Sequence, residues 1–264
     1  MMLGFRLLVL ALLGFVLMPT AVAIMAAFDS RSIIAFPVQW FSLRWFERAL
    51  NYEDFQTGFV RSAFVAVVAS TLSVVIGSMA AYAIDRYSFR GKATLEALLL
   101  APLAIPHFTI GLGALILAAQ LGQSRGWPVV IFAHVVLVLP FVLRSLYVSL
   151  KNIDPRLEAV ALSLGAKPGR VIWTVTLPAL APGLAGGWLF AAILSFNEFT
   201  ASLFVTSHRT QTLPVAMYNY VREYADPSMA AISVLYILLT TILLVIANRF
   251  LGLGRILGTE DAKH

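Results

Sequence analysis

The chain contains no cysteine and very little charge. Of its 264 residues, 12% are charged and 60% are hydrophobic. The lack of cysteine excludes disulfides, thiolate metal sites and cysteine chemistry. A soluble domain carries about twice this share of charged residues, so lipid must be the solvent for most of the chain.

Sites for nucleotides, metals and catalysis are also missing from the sequence. No segment has the G-x-x-x-x-G-K-[ST] spacing of a phosphate-binding loop, so we expect no ATP site and no other cofactor in this chain. The four histidines, at positions 107, 134, 208 and 264, have no ligand spacing, so no metal site is expected. No catalytic constellation is visible, and the chain is therefore not expected to be an enzyme.

Six apolar runs are long enough to cross a bilayer, which takes about 20 residues of helix. They cover residues 7–28, 62–84, 97–124, 126–143 with an extension to about 150, 171–205 and 227–248, and the fifth begins with a non-membrane stretch that ends at Pro178. The predicted fold class is therefore an all-α integral membrane protein with six transmembrane helices. We expect residues 1–264 to form one transmembrane domain.

The basic residues indicate the orientation of these helices. The net charge of +6 does not indicate nucleic-acid binding here, because Lys and Arg lie mostly in short loops between apolar runs. With the N-terminus inside, twelve of them are cytoplasmic and seven are outside, so both termini are predicted to be cytoplasmic. Ala21-Val22-Ala23 loosely resembles a signal-peptide cleavage site, but the run is long for a signal core, and we expect an uncleaved first helix.

Several segments have features beyond hydrophobicity. Trp40, Phe41, Trp45 and Phe46 in the outer segment 29–56 predict a short interfacial helix, a surface for an extracytoplasmic partner, or both. Small residues in the second run predict a helix that is buried in a bundle. Prolines at positions 102 and 106 predict a kink in the third run, either beside a pathway or purely structural.

The inward-facing segment 151–178 is predicted to form two short helices. Asp154-Pro155 is typical of a helix start, and Gly165 is typical of a helix stop. A second helix is predicted to begin at Lys167-Pro168 and to be closed by Pro178. The apolar stripe of the first helix must be buried either against the chain's own bundle or against a partner; it consists of Leu157, Val160, Ala161 and Leu164.

This segment resembles the EAA loop of permease subunits of binding-protein-dependent ABC importers. That motif reads E-A-A, three residues, glycine, nine residues, then I-x-L-P, and the matching positions here are Glu158, Ala159, Ala161, Gly165, Ala166, Leu177 and Pro178. Ala159 stands where the motif has its glutamate, and Glu158 lies one residue earlier, about 100° around the helix. Val175 replaces the usual isoleucine.

The resemblance extends over nearly the whole chain and includes segments similar to those of the spermidine/putrescine group. Similar segments are Phe36-Pro37, residues 40–50, YSFRGK at 87–92, LVLPFVL at 137–143 and residues 204–206. The resemblance implies a MetI-like, type I importer fold in the bacterial inner membrane. It also implies a second permease chain, as in a heterodimer, two ATPase subunits that carry ATP and Mg²⁺ and dock on the EAA loops, and an extracytoplasmic solute-binding protein. The outer segment 208–226 is then a docking face for that protein or a plain solvated loop.

Glu198 is the only acid deep in an apparent span, and a charge at that depth indicates function or a buried, satisfied carboxylate. We predict a substrate pathway with Ser195, Asn197, Glu198 and Thr200 as candidates, whereas His134 is expected to form a helix–helix hydrogen bond. The resembling group has two adjacent acids where this chain has Asn197-Glu198. The solute is therefore expected to be an amine such as a polyamine, or alternatively an aminophosphonate or amino acid derivative.

Two other classes of function remain as alternatives. An ion-coupled secondary transporter would move solute alone, but such carriers often have repeated halves, and no internal repeat is detectable here. A membrane anchor or assembly factor would support no solute-stimulated ATP hydrolysis. Co-purification with an ATPase separates a permease subunit from a secondary transporter.

Overall fold

The computed structural model describes residues 2–32, 40–224 and 226–251, with the backbone alone for residues 2, 3 and 246–251. The regular structure of these residues is helical, with one isolated pairing of Asp29 with Phe41. The α-helices of this part of the chain are α1 (Met2–Ala27), α2 (Arg44–Asn51), α3 (Glu53–Arg86), α4 (Lys92–Leu100), α5 (His107–Gln120), α6 (Trp127–Lys151), α7 (Arg156–Ser163), α8 (Pro168–Val171), α9 (Leu177–Phe196), α10 (Ser202–Val205), α11 (Leu213–Glu223) and α12 (Ser228–Leu251).

Five long apolar helical segments account for five of the six predicted crossings. They are α1, α3, α6, the continuous stretch from α8 to the end of α9, and α12, and each is long and apolar enough to cross a membrane. The helix α3 begins at Glu53 and is longer than the predicted run, because the polar residues before position 62 are also helical. The predicted interfacial helix is α2, and Phe36-Pro37 lies outside the described residues.

The third predicted crossing is a broken helix rather than one kinked helix. After α4 comes a 3₁₀ turn, Ala101–Ala104, and α5 then leaves at an angle of 111°. Pro102 lies in the 3₁₀ turn and Pro106 immediately precedes α5, so two nearby residues lack the backbone N–H that would continue a helix. The two prolines therefore mark the predicted position, but they break the helix there instead of only kinking it.

Contacts between α3 and α6 show that the broken pair still carries the chain across the bundle once. Lys151 Nζ, at the end of α6, lies 3.0 Å from Asp85 Oδ1 near the end of α3. The rings of Phe64 and Trp127 are 5.0 Å apart near the starts of the same two helices. The helices α3 and α6 are therefore parallel, and α4 and α5 together must connect opposite sides. We refer to these sides as the α7 face and the α11 face.

The centre of the molecule is a bundle of α3, α6 and α9 in which small residues allow close contact. Gly77 of α3 faces Val142 of α6, and Gly183 of α9 lies directly against Ser149 of α6. One face of α3 is buried along Ala66, Ala69, Ser73 and other small residues, as predicted. Close packing of this kind supplies the helix association that the hydrophobic effect cannot supply in lipid.

The outer helices are organised around a cluster on the α11 face. Ala27 at the end of α1 and Ala231 at the start of α12 are both buried in it. Trp45 of α2 donates a hydrogen bond from Nε1 to the Asp29 carbonyl at 2.7 Å. Leu213 and Tyr220 of α11 are also buried there, so the segment 208–226 is not a plain solvated loop.

Gly111 and Gly113 make a matched pair for testing the contact between the broken helix and α10. A Cβ at Gly111 would lie 2.7 Å from the Cα atom of Ala201, whereas a Cβ at Gly113 would meet nothing within 4 Å. We expect Gly111→Ala to lower the thermal unfolding temperature of the detergent-purified protein, because overpacking costs about 1–3 kcal/mol. Gly113→Ala should leave it unchanged or raise it. An equal response of the two variants would contradict this close approach.

Candidate coupling surface and substrate pathway

The helix α7 begins and ends as the sequence predicts. Asp154 Oδ1 accepts a hydrogen bond from the Arg156 N–H at 2.9 Å, which caps the helix start. At the other end Gly165 has a φ of +86°, and the Ala166 N–H donates to the Ala161 carbonyl at 3.1 Å. This pattern is a Schellman motif, and its left-handed residue is a glycine because other residues are strained there.

The second half of the loop differs from the prediction that Pro178 closes a separate helix. The helix α8 continues through a π-helical turn, Ile172–Thr176, directly into α9. Pro178 lies in the first turn of α9 and is exposed, and Leu177 is partly buried. The wide turn, in which the Leu177 N–H donates to the Ile172 carbonyl, accommodates the proline ring without ending the helical path.

The apolar stripe of α7 is exposed rather than packed under the chain's own bundle. Leu157, Val160 and Leu164 have 54%, 56% and 83% of their surfaces exposed, and Trp173 in the π turn has 74%. These four residues are called the knob surface below. Ala161 and Ala166 are partly buried, and Ala159 is exposed. Because α7 and the π turn lie beyond the ends of α3 and α6, the knob surface is available to a partner.

Glu158 points inward and is held by the chain itself. Its carboxylate accepts hydrogen bonds from Arg86 Nε at 3.1 Å, from Arg86 Nη2 at 3.4 Å and from Thr176 Oγ1 at 2.8 Å. Its residue surface is only 9% exposed. The polar atoms of the Glu158 side chain are therefore bonded within the chain, whereas the other predicted coupling residues have no polar side chain.

Glu198 lies just beyond α9, in the turn before α10, rather than inside a membrane helix as the sequence indicated. The helix α9 ends at Phe196, and Asn197 follows as its C-terminal cap, with its side-chain amide donating to the Ile193 carbonyl at 2.7 Å. The Glu198 carboxylate is buried, accepts from the Ala201 N–H at 2.7 Å, and lies 2.7 Å from His107 Nδ1.

His134 links the same region to α6, which confirms the predicted helix–helix hydrogen bond. Its ring nitrogens are 2.7 Å from Ser195 Oγ and 2.9 Å from Ser202 Oγ. Ser202 Oγ also donates to the Glu198 carbonyl at 2.9 Å. The structure therefore connects Ser195 with the Glu198 turn through a chain of polar groups, at the point where α5, α9 and α10 begin or end.

The other two candidate pathway residues face elsewhere. Asn197 and Thr200 are exposed, and Asn197 lines a cavity of about 330 Å³ together with Phe199, Tyr218 and Tyr236. His107 was not among the sequence candidates, although half of its side-chain surface is exposed beside Glu198. Its position directly after Pro106 was the available signal, since a residue that follows a helix break is free to face another element.

Together these features define a class of membrane protein. The chain is a multi-pass bundle of helices with one broken crossing, a cluster of buried polar groups at that break, and an apolar knob outside the spans. A family model described as binding-protein-dependent transport system inner membrane component matches residues 73–251. The chain belongs to this family. It is a multi-pass inner-membrane protein and a permease subunit of an importer, a transport component rather than an enzyme.

Relatives in curated collections agree with this assignment. The chain is 28% identical over 256 residues to the spermidine/putrescine transport system permease protein PotC of Escherichia coli, covering 96% of each chain. It is 29% identical to the putrescine transport system permease protein PotI of the same species, covering 86% of this chain and 84% of that one. A molybdenum transport system permease protein, ModB of Haemophilus influenzae, is 30% identical over 71% of this chain and 89% of its own.

Solved structures show the same fold. A chain of a bacterial ABC transporter involved in the import of the acidic polysaccharide alginate aligns with a TM-score of 0.71 at 17% identity, covering 94% of this chain and 95% of that one. A chain of the MetNI methionine ABC transporter aligns with a TM-score of 0.59 at 19% identity, covering 76% and 97%. The predicted MetI-like, type I importer fold is therefore confirmed.

Proposed function

We propose that the chain forms half of the translocation pathway of an ABC importer for a small amine-containing solute such as a polyamine. The observation that carries this proposal is the similarity to PotC along 96% of both chains, which spans the apolar runs and the loop between α6 and α9.

The turn around Glu198 supports a cationic group in the pathway. The Glu198 carboxylate lies beside the break between α4 and α5, where its Oε2 atom is 2.7 Å from His107 Nδ1. An ammonium group that replaced the ring would gain a charge-assisted hydrogen bond to Oε2. Because half of the His107 side-chain surface is exposed, the ring marks the accessible side of the carboxylate.

A second solute class is favoured by the charge at this position. Asn197 stands where the resembling group carries a second acid, and the single carboxylate of Glu198 already has a histidine partner. A solute with one ammonium group and an anionic group, such as an aminophosphonate or an amino acid derivative, needs less negative charge than a polyamine. Both solutes require the same importer class.

The assembly we propose has a second permease chain, as a heterodimer, and two ATPase subunits on the α7 face. The knob surface and Gly165 would contact an ATPase subunit, with Ala159, Ala161, Ala166, Leu177 and Pro178 extending that contact in the loop 151–178 and Glu158 holding the loop from its inward side. An extracytoplasmic binding protein would dock on the α11 face, where Tyr218, Val221 and Tyr224 are exposed.

The same proposal fixes the orientation and the domain boundaries. The α7 face is then cytoplasmic, and both termini lie on that side. This agrees with α1 ending, and α12 starting, in the cluster on the α11 face. Residues 1–264 form one transmembrane domain, and ATP and Mg²⁺ are bound by the partner subunits alone.

The solute is tested by transport in a complete system. We expect proteoliposomes with the chain, its permease and ATPase partners and its binding protein to import a radiolabelled diamine or polyamine when ATP is supplied inside. The panel should contain putrescine, spermidine, an aminophosphonate, an acidic amino acid and molybdate. Import of the aminophosphonate alone would select the second solute class, and import by the chain without partners would overturn the proposal.

A further inference from the structure

The two short helices of the coupling loop need a rigid attachment if they are to transmit motion. The outward side of α7 carries Leu157 and Val160 of the exposed knob surface, and α7 packs against α8 and the π turn. A loop that is attached to the protein only by its chain ends would bend when a partner moves it, and the movement would not reach the membrane helices. The contacts on the inward side of α7 therefore decide what such a push can move.

Glu158 supplies that attachment on the inward side. Two Arg86 nitrogens donate to the two oxygens of its carboxylate at 3.1 and 3.4 Å, and Arg86 is the last residue of α3. Thr176 donates to Oε1 at 2.8 Å and lies directly before α9. One carboxylate thus joins α7 to the end of one central helix and to the beginning of another.

The attachment continues to the third central helix through neighbouring charges. Arg86 also contacts the Asp85 carboxylate, and Lys151 at the end of α6 lies 3.0 Å from Asp85 Oδ1. Asp85 and Arg86 have only 3% and 13% of their side chains exposed, so water screens their ion pair far less than it screens a surface pair, whereas Lys151 has 59% of its side chain exposed. The ends of α3 and α6 are therefore linked to α7 by ion pairs, and the start of α9 is linked to it by the Thr176 hydrogen bond.

The position of Thr176 places one end of the attachment at the start of α9. Thr176 is the last residue of the π turn Ile172–Thr176, and only 1% of its surface is exposed. A π turn is a local irregularity in a helix where bending or a register change concentrates. A hydrogen bond from Thr176 to Glu158 ties the α9 side of this turn to α7, so that movement of α7 reaches α9 without being lost in the turn.

We propose that Glu158, Arg86 and Thr176 are positioning residues that transmit ATPase movement from the knob surface to α3 and α9. Glu158 acts from within the chain and is not a partner for a charged group on the ATPase. This inference rests on the proposed function, because it assumes that an ATPase docks on the knob surface. It assigns distinct roles to neighbouring positions: Leu157 and Val160 make contact, and Glu158 conveys the resulting motion.

The test measures solute imported per ATP hydrolysed in the reconstituted complex, with the solute that the wild-type complex imports fastest in the panel above. We expect Glu158→Ala to assemble normally and to keep its ATPase rate, because Arg86 retains Asp85 as a partner. The imported solute per ATP should fall about 3- to 30-fold, the range expected when a coupling contact is removed. Glu158→Gln should have a smaller effect, because the amide oxygen still accepts a hydrogen bond.

Thr176 and Thr174 provide a matched pair. Thr176→Val keeps the shape and removes the hydrogen bond to Glu158, whereas the hydroxyl of Thr174 donates to the Arg170 carbonyl of its own helix at 2.7 Å. We expect Thr176→Val to lower the solute imported per ATP and Thr174→Val to leave it unchanged. The double variant Thr176→Val with Glu158→Ala should be no worse than Glu158→Ala alone, since both remove one linkage.

Other outcomes separate the possible failures. A parallel loss of assembly, ATPase rate and import in Glu158→Ala and Thr176→Val would show a purely structural role and would overturn the inference. Unchanged import per ATP in both variants would overturn it as well. If the wild-type complex imports no member of the panel and its ATPase does not respond to the binding protein, the proposed function fails, and the inference fails with it.

Discussion

Replacing Leu164 with aspartate should strongly weaken binding of the ATPase subunit. Leu164 has 83% of its surface exposed at the end of α7, beside the open space around Gly165. An apolar residue at the centre of an interface contributes about 2 kcal/mol or more, and a charge buried there without a partner adds a further cost. The expected result is at least about a 30-fold weaker association. Co-purification of the tagged chain with its ATPase partner measures it, together with ATP-dependent uptake.

Ser163→Asp is the matched control for this prediction. Ser163 is the neighbouring residue of the same helix, but it lies outside the apolar stripe, and its hydroxyl donates to the Ala159 carbonyl at 2.9 Å. Aspartate at position 163 adds the same negative charge as Leu164→Asp, but about 100° away around the helix axis. We expect the control to retain the ATPase subunit. If Leu164→Asp bound the ATPase subunit as well as the wild type does, or if both variants lost the same amount of binding, docking through the knob surface would be contradicted.

Glu198→Gln should lower uptake strongly and leave the complex assembled. Glutamine keeps the size of the side chain, and its carbonyl oxygen can still accept the Ala201 N–H, which lies 2.7 Å from Oε1. It removes the negative charge beside His107. Hydrogen bonds to charged groups contribute about 1.5–3 kcal/mol, so uptake of an ammonium-bearing solute should fall about 10- to 100-fold. Initial uptake rates in proteoliposomes measure this, with complex recovery as the check on assembly.

His107→Gln tests whether Glu198 contacts the solute or only holds the broken helix in place through His107. The amide of Gln can donate to Glu198 in place of the ring, so the link between α5 and the Glu198 turn is retained and the charge of Glu198 is preserved. We expect this variant to keep most of the uptake. Unchanged uptake in Glu198→Gln would remove Glu198 from the pathway. Loss of assembly in both variants would instead assign the pair to holding α5 and α10 together.

Most crossings and the loop between α6 and α9 were predictable because their signals are local. A span is set by about 20 consecutive apolar residues, and α6 and α12 begin and end close to the predicted positions. The start of α7 at Asp154-Pro155 and its stop at Gly165 also follow from neighbouring residues, through a capping carboxylate and a left-handed glycine. Each of these features depends on a few positions that are adjacent in the chain.

The break in the third crossing and the location of Glu198 were predicted less well. Two prolines indicated a kink, but the angle of 111° depends on where α5 finds its partners, among them Ala201 beside Gly111. Apart from Glu198, uncharged residues continue beyond α9 to position 205, so hydropathy could not show that the helix ends at Phe196. Hydropathy reports which residues avoid water and does not report where a buried helix turns.

The sequence alone determined that this protein is a bundle of membrane-spanning helices of the importer permease type, with a helical loop between its fourth and fifth predicted crossings. Tertiary structure alone decided which polar groups meet. Glu158 and Arg86 are 72 positions apart in the chain, and His107 and Glu198 are 91 apart, yet each pair is in hydrogen-bond contact. Helix lengths and caps follow from local chemistry, whereas these pairings follow from how α3, α5, α7 and α9 pack, a property of no single segment.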